Sequence, residues 1–217
     1  MLEVYLLNVV EDLSIEEILR LSQQVSKEKK ERIEKFRFIR DKQNSLLSDL
    51  LIRSELRRKT GIENSQLEFS ANSYGKPFCV NVPDIHYNIS HSGNYIVCAI
   101  ADAPIGIDVE VIQDADLLIE ERFFTEDECR YIFSRPVEVQ AAAFYEIWTK
   151  KESYIKYLGK GLSIPLKSFS VVSSMEGIYF HKISSEVCAI CHVCSQTEEA
   201  PYCCTVLPQV LINRFPS

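Results

Sequence analysis

The sequence predicts an α+β fold in two halves, residues 1–104 and 105–217, meeting at Pro104. Three observations carry this. Helical stripes and strand-like runs occur in both halves rather than being segregated. "IGIDVEV" alternates apolar and acidic residues with the period of a strand. Between the halves, "APIG" breaks the pattern. With 217 residues and 46% hydrophobic content, the chain can bury a substantial core as one large domain or two small ones.

The apolar run in "MLEVYLLNVV" reads as a first strand. Ser14 and Glu17 then form a capping box, and Ile15, Ile18, Leu19 and Val25 carry a helical stripe. A basic helix follows from about Ser26 to Phe36, keeping Ile33 and Phe36 for packing. In "NSLLSDLLIRSELRRKTG", Leu46, Leu47, Leu50 and Leu51 recur at helical spacing, and Gly61 closes the helix. "SYGKP" is a turn, "NISHSG" a short polar turn between strand-like runs, and "NYIVCAIAD" a buried strand. In the next strand Ile105, Ile107, Val109 and Val111 share one face, and Asp108 and Glu110 the other. A helical region spans about 126–157. "FSVVS", "GIYFHKI" and "CCTVLPQVLI" are expected to be antiparallel strands.

The formal charge of −7 argues against general nucleic-acid binding. Residues 20–60 nevertheless hold 13 Lys/Arg against 6 Asp/Glu, which marks either a local anion site or a solvated helix face. No apolar run approaches the roughly 20 residues needed to span a bilayer, and the first residues lack the basic flank of a signal peptide. Eight cysteines in that context point to free thiols and a reducing compartment, so a cytoplasmic location is expected.

Two carboxylates about 4 Å apart repel by about 4 kcal/mol at an effective dielectric near 20. On the strand of Asp108 and Glu110, either solvent or a divalent cation must offset this. Magnesium takes a few carboxylates and leaves its remaining positions to water and phosphate oxygens. The helix in "IWTKKESYIKYLGKGLSIP" places Glu152 and Lys156 one turn apart on the face of Trp148. Glu152 is read as a third metal ligand or a general base, and Lys156 as a partner for a phosphate oxygen; a plain Glu–Lys surface pair is the alternative. Ser90, His91 and Ser92 offer groups that could cradle phosphate, with Gly93 allowing close approach. Lys76 stands in a turn between Gly75 and Pro77.

Other readings are weaker. Ser153 and Lys156 match S-x-x-K and residues 59–61 read K-T-G, but the order is inverted relative to serine acyl-transfer enzymes and no S-D-N is present. Cys188, Cys191 and Cys194 have a cluster-like spacing, with Cys203 and Cys204 downstream, but they stand in strand-like sequence where cysteine is an apolar filler.

Taken in order, "YGKP", "NISHSG", "IGIDVE" and "WTKKESYIKYLGKGLSIPL" resemble the surfactin-type 4'-phosphopantetheinyl transferases, from near Lys29 to about residue 171. The resemblance implies two similar α+β subdomains related by pseudo-two-fold symmetry, with the active site in the cleft between them. Residues 1–104 would contact the nucleotide of coenzyme A, and residues 105–217 would carry the metal carboxylates and the catalytic helix. The implied reaction transfers the phosphopantetheine arm of coenzyme A to a serine of an acyl or peptidyl carrier protein, releasing 3',5'-ADP. Asp108, Glu110 and Glu152 would hold Mg²⁺, or Mn²⁺ in its place. Lys156 and His91 would meet the phosphates, while Lys76 and Ser90 would line the nucleotide pocket. Lys29, Arg32 and Ser45 align with positions near the 3'-phosphate, and Asn44 stands where many relatives carry a basic residue. Phe123 and Phe124 would form a carrier-docking surface or pack in the core. A chain with both halves is expected to act as a monomer, without nucleic acid or membrane partners. The alternative is a non-catalytic module that binds coenzyme A or a carrier and keeps the same fold.

Overall fold

The computed structural model describes residues 1–113, 120–183 and 189–216. The elements are β1 (Leu2–Asn8), α1 (Ile15–Leu21), α2 (Lys27–Lys35), α3 (Ile39–Thr60), β2 (Phe69–Ala71), β3 (Pro77–Cys79), β4 (His86–Ser92), β5 (Tyr95–Ala101) and β6 (Gly106–Val111). They continue with α4 (Glu120–Phe123), α5 (Glu126–Phe133), α6 (Val137–Leu158), β7 (Tyr179–Lys182), β8 (Ala189–Ser195), β9 (Tyr202–Thr205) and α7 (Pro208–Asn213). One sheet has the order β4-β5-β1-β9, a second the order β6-β8-β7, and β2 and β3 form a hairpin.

The first sheet is apolar on both faces. Tyr5, Leu7, Ile96, Cys98 and Ile100 pack on one side with Leu46, Leu47, Leu50 and Leu51 of α3. Each fully buried leucine contributes about 1.5–3 kcal/mol of transfer free energy. On the other side, Val4, Val97 and Ala99 share a core with Ile107, Val109, Cys191 and Val193 of the second sheet. The alternation along β1 and β5 therefore serves two cores at once. Helix α6 covers the outer face of the second sheet, so the layers run helix, sheet, sheet, helix.

Several local expectations hold. Ser14 and Glu17 form a reciprocal capping box at α1, and Gly61 ends α3 at φ 73°. The stripe on α1 is only half used: Ile18 and Leu21 are buried, whereas Ile15 and Leu19 are 68% and 56% exposed.

Other expectations are corrected. "NISHSG" is strand up to Ser92, and the turn is confined to Gly93 and Asn94. The helical region is broken before Pro136, giving α5 and α6. "FSVVS" is no strand: Val171 N–H donates to Glu128 Oε1, so a side chain replaces the ladder there. "PQVLI" is the helix α7, with Pro208 at its first turn. Strand β9 pairs in parallel with β1, and Val206, Leu211, Ile212 and Phe215 join the core under α3. The last segment of residues 105–217 therefore packs with the first sheet.

Candidate active site

Strand β4 has two differently occupied faces. Tyr87, Ile89 and His91 line a cavity of about 450 Å³ that is also lined by Lys29, Arg32, Ser45, Ser48, Asp49, Arg53 and Phe69. The intervening residues Asn88, Ser90 and Ser92 turn to β6. Asn88 Oδ1 accepts from Ile107 N at 2.8 Å. Ser90 Oγ donates to Asp108 Oδ1 at 2.8 Å, and Ser92 Oγ donates to Glu110 Oε2 at 2.7 Å. Side chains thus bridge strands of two different sheets, and the two-residue strand period brings cavity and carboxylates to opposite sides of one strand.

The cavity combines cations and hydroxyls with an apolar floor. Burial pushes the Lys29 ammonium below its ordinary pKa, opposed by Asp49 and reinforced by Arg32 and Arg53. His91, although exposed on its outer side, is likewise lowered, first by desolvation in the cavity and then by Lys156, which favours neutral imidazole at neutral pH. Arg53 lies 4.5 Å from the centroid of the Phe69 ring and is paired with Asp49, while Phe69 meets Tyr87 edge-on.

Lys156 Nζ donates to Asp108 Oδ1 at 2.6 Å and to Ser90 Oγ at 2.9 Å. Asp108 is buried, and its Oδ2 has no hydrogen-bond partner among the described residues. Burial raises the Glu110 carboxyl pKa, the Ser92 hydrogen bond opposes the rise, and Asp108 adds to it. Glu152 is raised by burial, then by Asp108, against Lys156, with Glu110 adding a smaller rise. Among the described residues, the Glu152 side chain forms no hydrogen bond or ion pair. Hard oxygen donors with an orphaned buried carboxylate oxygen suit magnesium, so the donor set fits that ion. Among the described residues, however, no three His, Cys, Asp or Glu side chains are gathered as a metal cage, and Lys156 and Ser90 both contact the other oxygen of Asp108.

Helix α6 is held close to this strand by its backbone. A Cβ on Gly106 would stand 1.9 Å from Ser153 O and 2.4 Å from Tyr157 N. Lys151 is fully buried, donating to Leu166 O at 2.8 Å and to Phe169 O at 2.6 Å, and pairing with the equally buried Glu128 at 2.8 Å. Thr149 Oγ1 lies 2.8 Å from Nδ1 of the buried His192, whose pKa burial pushes down to about 3.

The sequence-predicted residues are distributed unevenly. Lys29, Arg32, Ser45 and His91 share the cavity, and Ser90, Asp108 and Lys156 form one hydrogen-bonded cluster. Lys76 is not among the residues lining that cavity, although Gly75 and Pro77 are. Its Nζ donates to Ile105 O at 2.8 Å and Tyr157 O at 3.3 Å, and burial lowers its pKa to about 8. Asn44 is buried, with Nδ2 on Gly93 O at 3.1 Å. Phe124 is only 1% exposed and packs on Phe144 and Trp148, with Phe123 edge-on to Trp148; Phe124 is a core residue. Ser153 is buried and donates to Lys150 O, so it is no nucleophile facing Lys156. Cys188 lies outside the described residues. Cys191 and Cys194, three apart on β8, point to opposite faces, and Cys203 and Cys204 stand on β9 in the other sheet. Sequence reasoning missed Ser48, Arg53, Tyr87 and His192; only the alternation of β4 offered a signal for Tyr87.

Residues 104–207 match the 4'-phosphopantetheinyl transferase superfamily and residues 13–103 match the 4'-phosphopantetheinyl transferase N-terminal family. The chain is 40% identical over 176 residues to the 4'-phosphopantetheinyl transferase Sfp of Bacillus subtilis (strain 168), covering 81% of this chain and 79% of that protein. It is 42% identical over 161 residues to psf-1 of Bacillus pumilus, covering 74% and 69%. The match to gsp of Aneurinibacillus migulanus reaches 47% over 149 residues, covering 69% and 62%. A two-subdomain α+β architecture, matches in both halves and this identity over most of both chains place the protein in the 4'-phosphopantetheinyl transferase family.

Proposed function

We propose that this protein transfers the phosphopantetheine arm of coenzyme A to a serine hydroxyl of an acyl or peptidyl carrier protein, acting in the cytoplasm as a magnesium-dependent monomer. The observation that carries the reading is the two-faced strand β4. Its His91 face lines a cavity with Lys29 and Arg32, suited to a phosphorylated nucleotide; its serine face holds Asp108 and Glu110.

In this reading the nucleotide end of coenzyme A enters the cavity. Lys29 and Arg32 meet phosphate there, Ser45 adds a hydroxyl, and the aromatic floor takes the base. His91 and Lys156 contact the diphosphate, and Ser90 orients Lys156 and Asp108 together. Asp108 and Glu110, with Glu152, would hold Mg²⁺, which when bound supplies positive charge beside the diphosphate. Lys76 supports the site through the carbonyls of residues 105 and 157. Glu152, held above its ordinary pKa, is suited to take the proton of the carrier serine. The serine oxygen then bonds to the phosphorus carrying the pantetheine arm as the bond to the bridging oxygen breaks, and 3',5'-ADP leaves. Residues 1–104 supply the nucleotide contacts and residues from 105 supply the carboxylates and helix α6.

The test is to incubate the purified protein with coenzyme A and an apo carrier protein, with Mg²⁺ or EDTA. The expected result is 3',5'-ADP formed in step with holo carrier, only in the presence of the metal. Nucleotide release without carrier modification would contradict the reading.

A further inference from the structure

We propose that Ser92 and Asn44 are positioning residues for Glu110, linked as a relay from α3 through the β4–β5 turn to β6. The inference rests on the reading of Asp108 and Glu110 as metal-holding carboxylates.

Its first part is the hydroxyl of Ser92. A serine hydroxyl has one proton and two lone pairs. Ser92 directs the proton to Glu110 Oε2 at 2.7 Å and accepts the backbone N–H of Val111 at 3.1 Å. One atom therefore fixes both the carboxylate and the main chain beside it. Ser92 is itself held in the β4–β5 hairpin, paired with Tyr95.

The second part is the anchoring of the turn. Gly93 adopts φ +55°, and a Cβ there would lie 2.9 Å from Val111 Cγ2, so the turn sits directly on the end of β6. Asn44, only 4% exposed, donates from Nδ2 to Gly93 O at 3.1 Å, and Val9 N donates to Asn94 O at 2.8 Å. Asn44 adjoins Ser45, which lines the nucleotide cavity. The Asn44 side chain thus braces the hairpin that carries Ser92. Such supporting hydrogen bonds commonly change metal affinity about 10–100-fold when removed.

The experiment compares Ser92→Ala, Ser92→Thr and Asn44→Ala with the wild type. Mn²⁺ binding is followed by electron paramagnetic resonance, alongside kcat, KM for coenzyme A and the thermal midpoint. Ser92→Ala is expected to weaken Mn²⁺ binding about tenfold and to lower kcat by a similar factor, with KM for coenzyme A within about twofold. Ser92→Thr, which keeps the hydroxyl, should restore both to within about threefold, and Asn44→Ala should fall between them. Wild-type Mn²⁺ affinity and kcat in Ser92→Ala would overturn the relay. So would equal losses in the alanine and threonine variants accompanied by a lowered thermal midpoint, the mark of a structural role alone. Transfer by the wild type in the presence of EDTA would overturn the metal reading itself.

Discussion

Lys156 Nζ and Asp108 Oδ1 lie 2.6 Å apart, joining helix α6 to strand β6 through the oxygen of Asp108 that, among the described residues, has partners. The pair is unequally exposed, with the lysine side chain 26% and the aspartate 5% accessible. Removing the lysine leaves a buried carboxylate supported, among the described residues, by Ser90 alone. Lys156→Met should therefore reduce transfer by about 10²-fold or more, as steady-state kinetics with a carrier protein would measure. Lys156→Arg should not restore the rate, because the larger, planar guanidinium places its donors differently from the compact ammonium.

Gly106→Ala tests the close approach of α6. The added methyl would fall within 1.9 Å of a backbone oxygen, which no rotamer change can relieve. Overpacking of this kind costs about 1–3 kcal/mol, and for a chain of this size each kcal/mol lowers the thermal midpoint by about 2–4 °C. Calorimetry should show that drop, with a proportionally larger loss of transfer rate because α6 carries Glu152 and Lys156.

Lys151 and Glu128 form a fully buried ion pair. Lys151→Met leaves Glu128 without its cation and should cost about 3–5 kcal/mol in denaturant unfolding. The double variant Lys151→Met/Glu128→Gln should recover part of that loss, since no charge then stays buried alone.

Glu152 gives a pH-dependent prediction. Burial raises its folded pKa above the ordinary value, so its ionised form costs stability above that pKa; the cost falls as pH drops below it and is gone once pH is below the ordinary carboxyl pKa. In metal-free protein, Glu152→Gln should melt higher than the wild type at pH 8. The difference should shrink on acidification, as the wild-type side chain also becomes neutral. A difference that stays constant until the pH is below the ordinary carboxyl range would contradict this.

The strongly local features were legible in the sequence. The alternation of Ile105, Ile107 and Val109 with Asp108 and Glu110 follows from strand geometry alone, and the leucines of α3 and the capping box of Ser14 are equally local. The destination of β9 was not legible, because its parallel partner β1 is remote in sequence and either sheet would accept its pattern. The direction of the Lys76 side chain depends on carbonyls of Ile105 and Tyr157 that meet only in the folded chain. For Phe124 the sequence left docking surface and core packing open, and only the folded chain decides it, because Phe144 and Trp148 of α6 enclose the ring. Site chemistry was read from residue types, whereas the hydrogen bonds linking β4 to β6 required knowing that two strands of different sheets lie side by side.

The most direct measurement is the intact mass of an apo carrier protein after incubation with coenzyme A, Mg²⁺ and either wild-type protein or Asp108→Ala. The expected result is a phosphopantetheine adduct on the carrier serine with the wild type, lost with EDTA and strongly reduced with Asp108→Ala. No adduct on carriers of several classes from folded wild-type protein would contradict the assigned reaction, and wild-type adduct levels from Asp108→Ala would contradict the site.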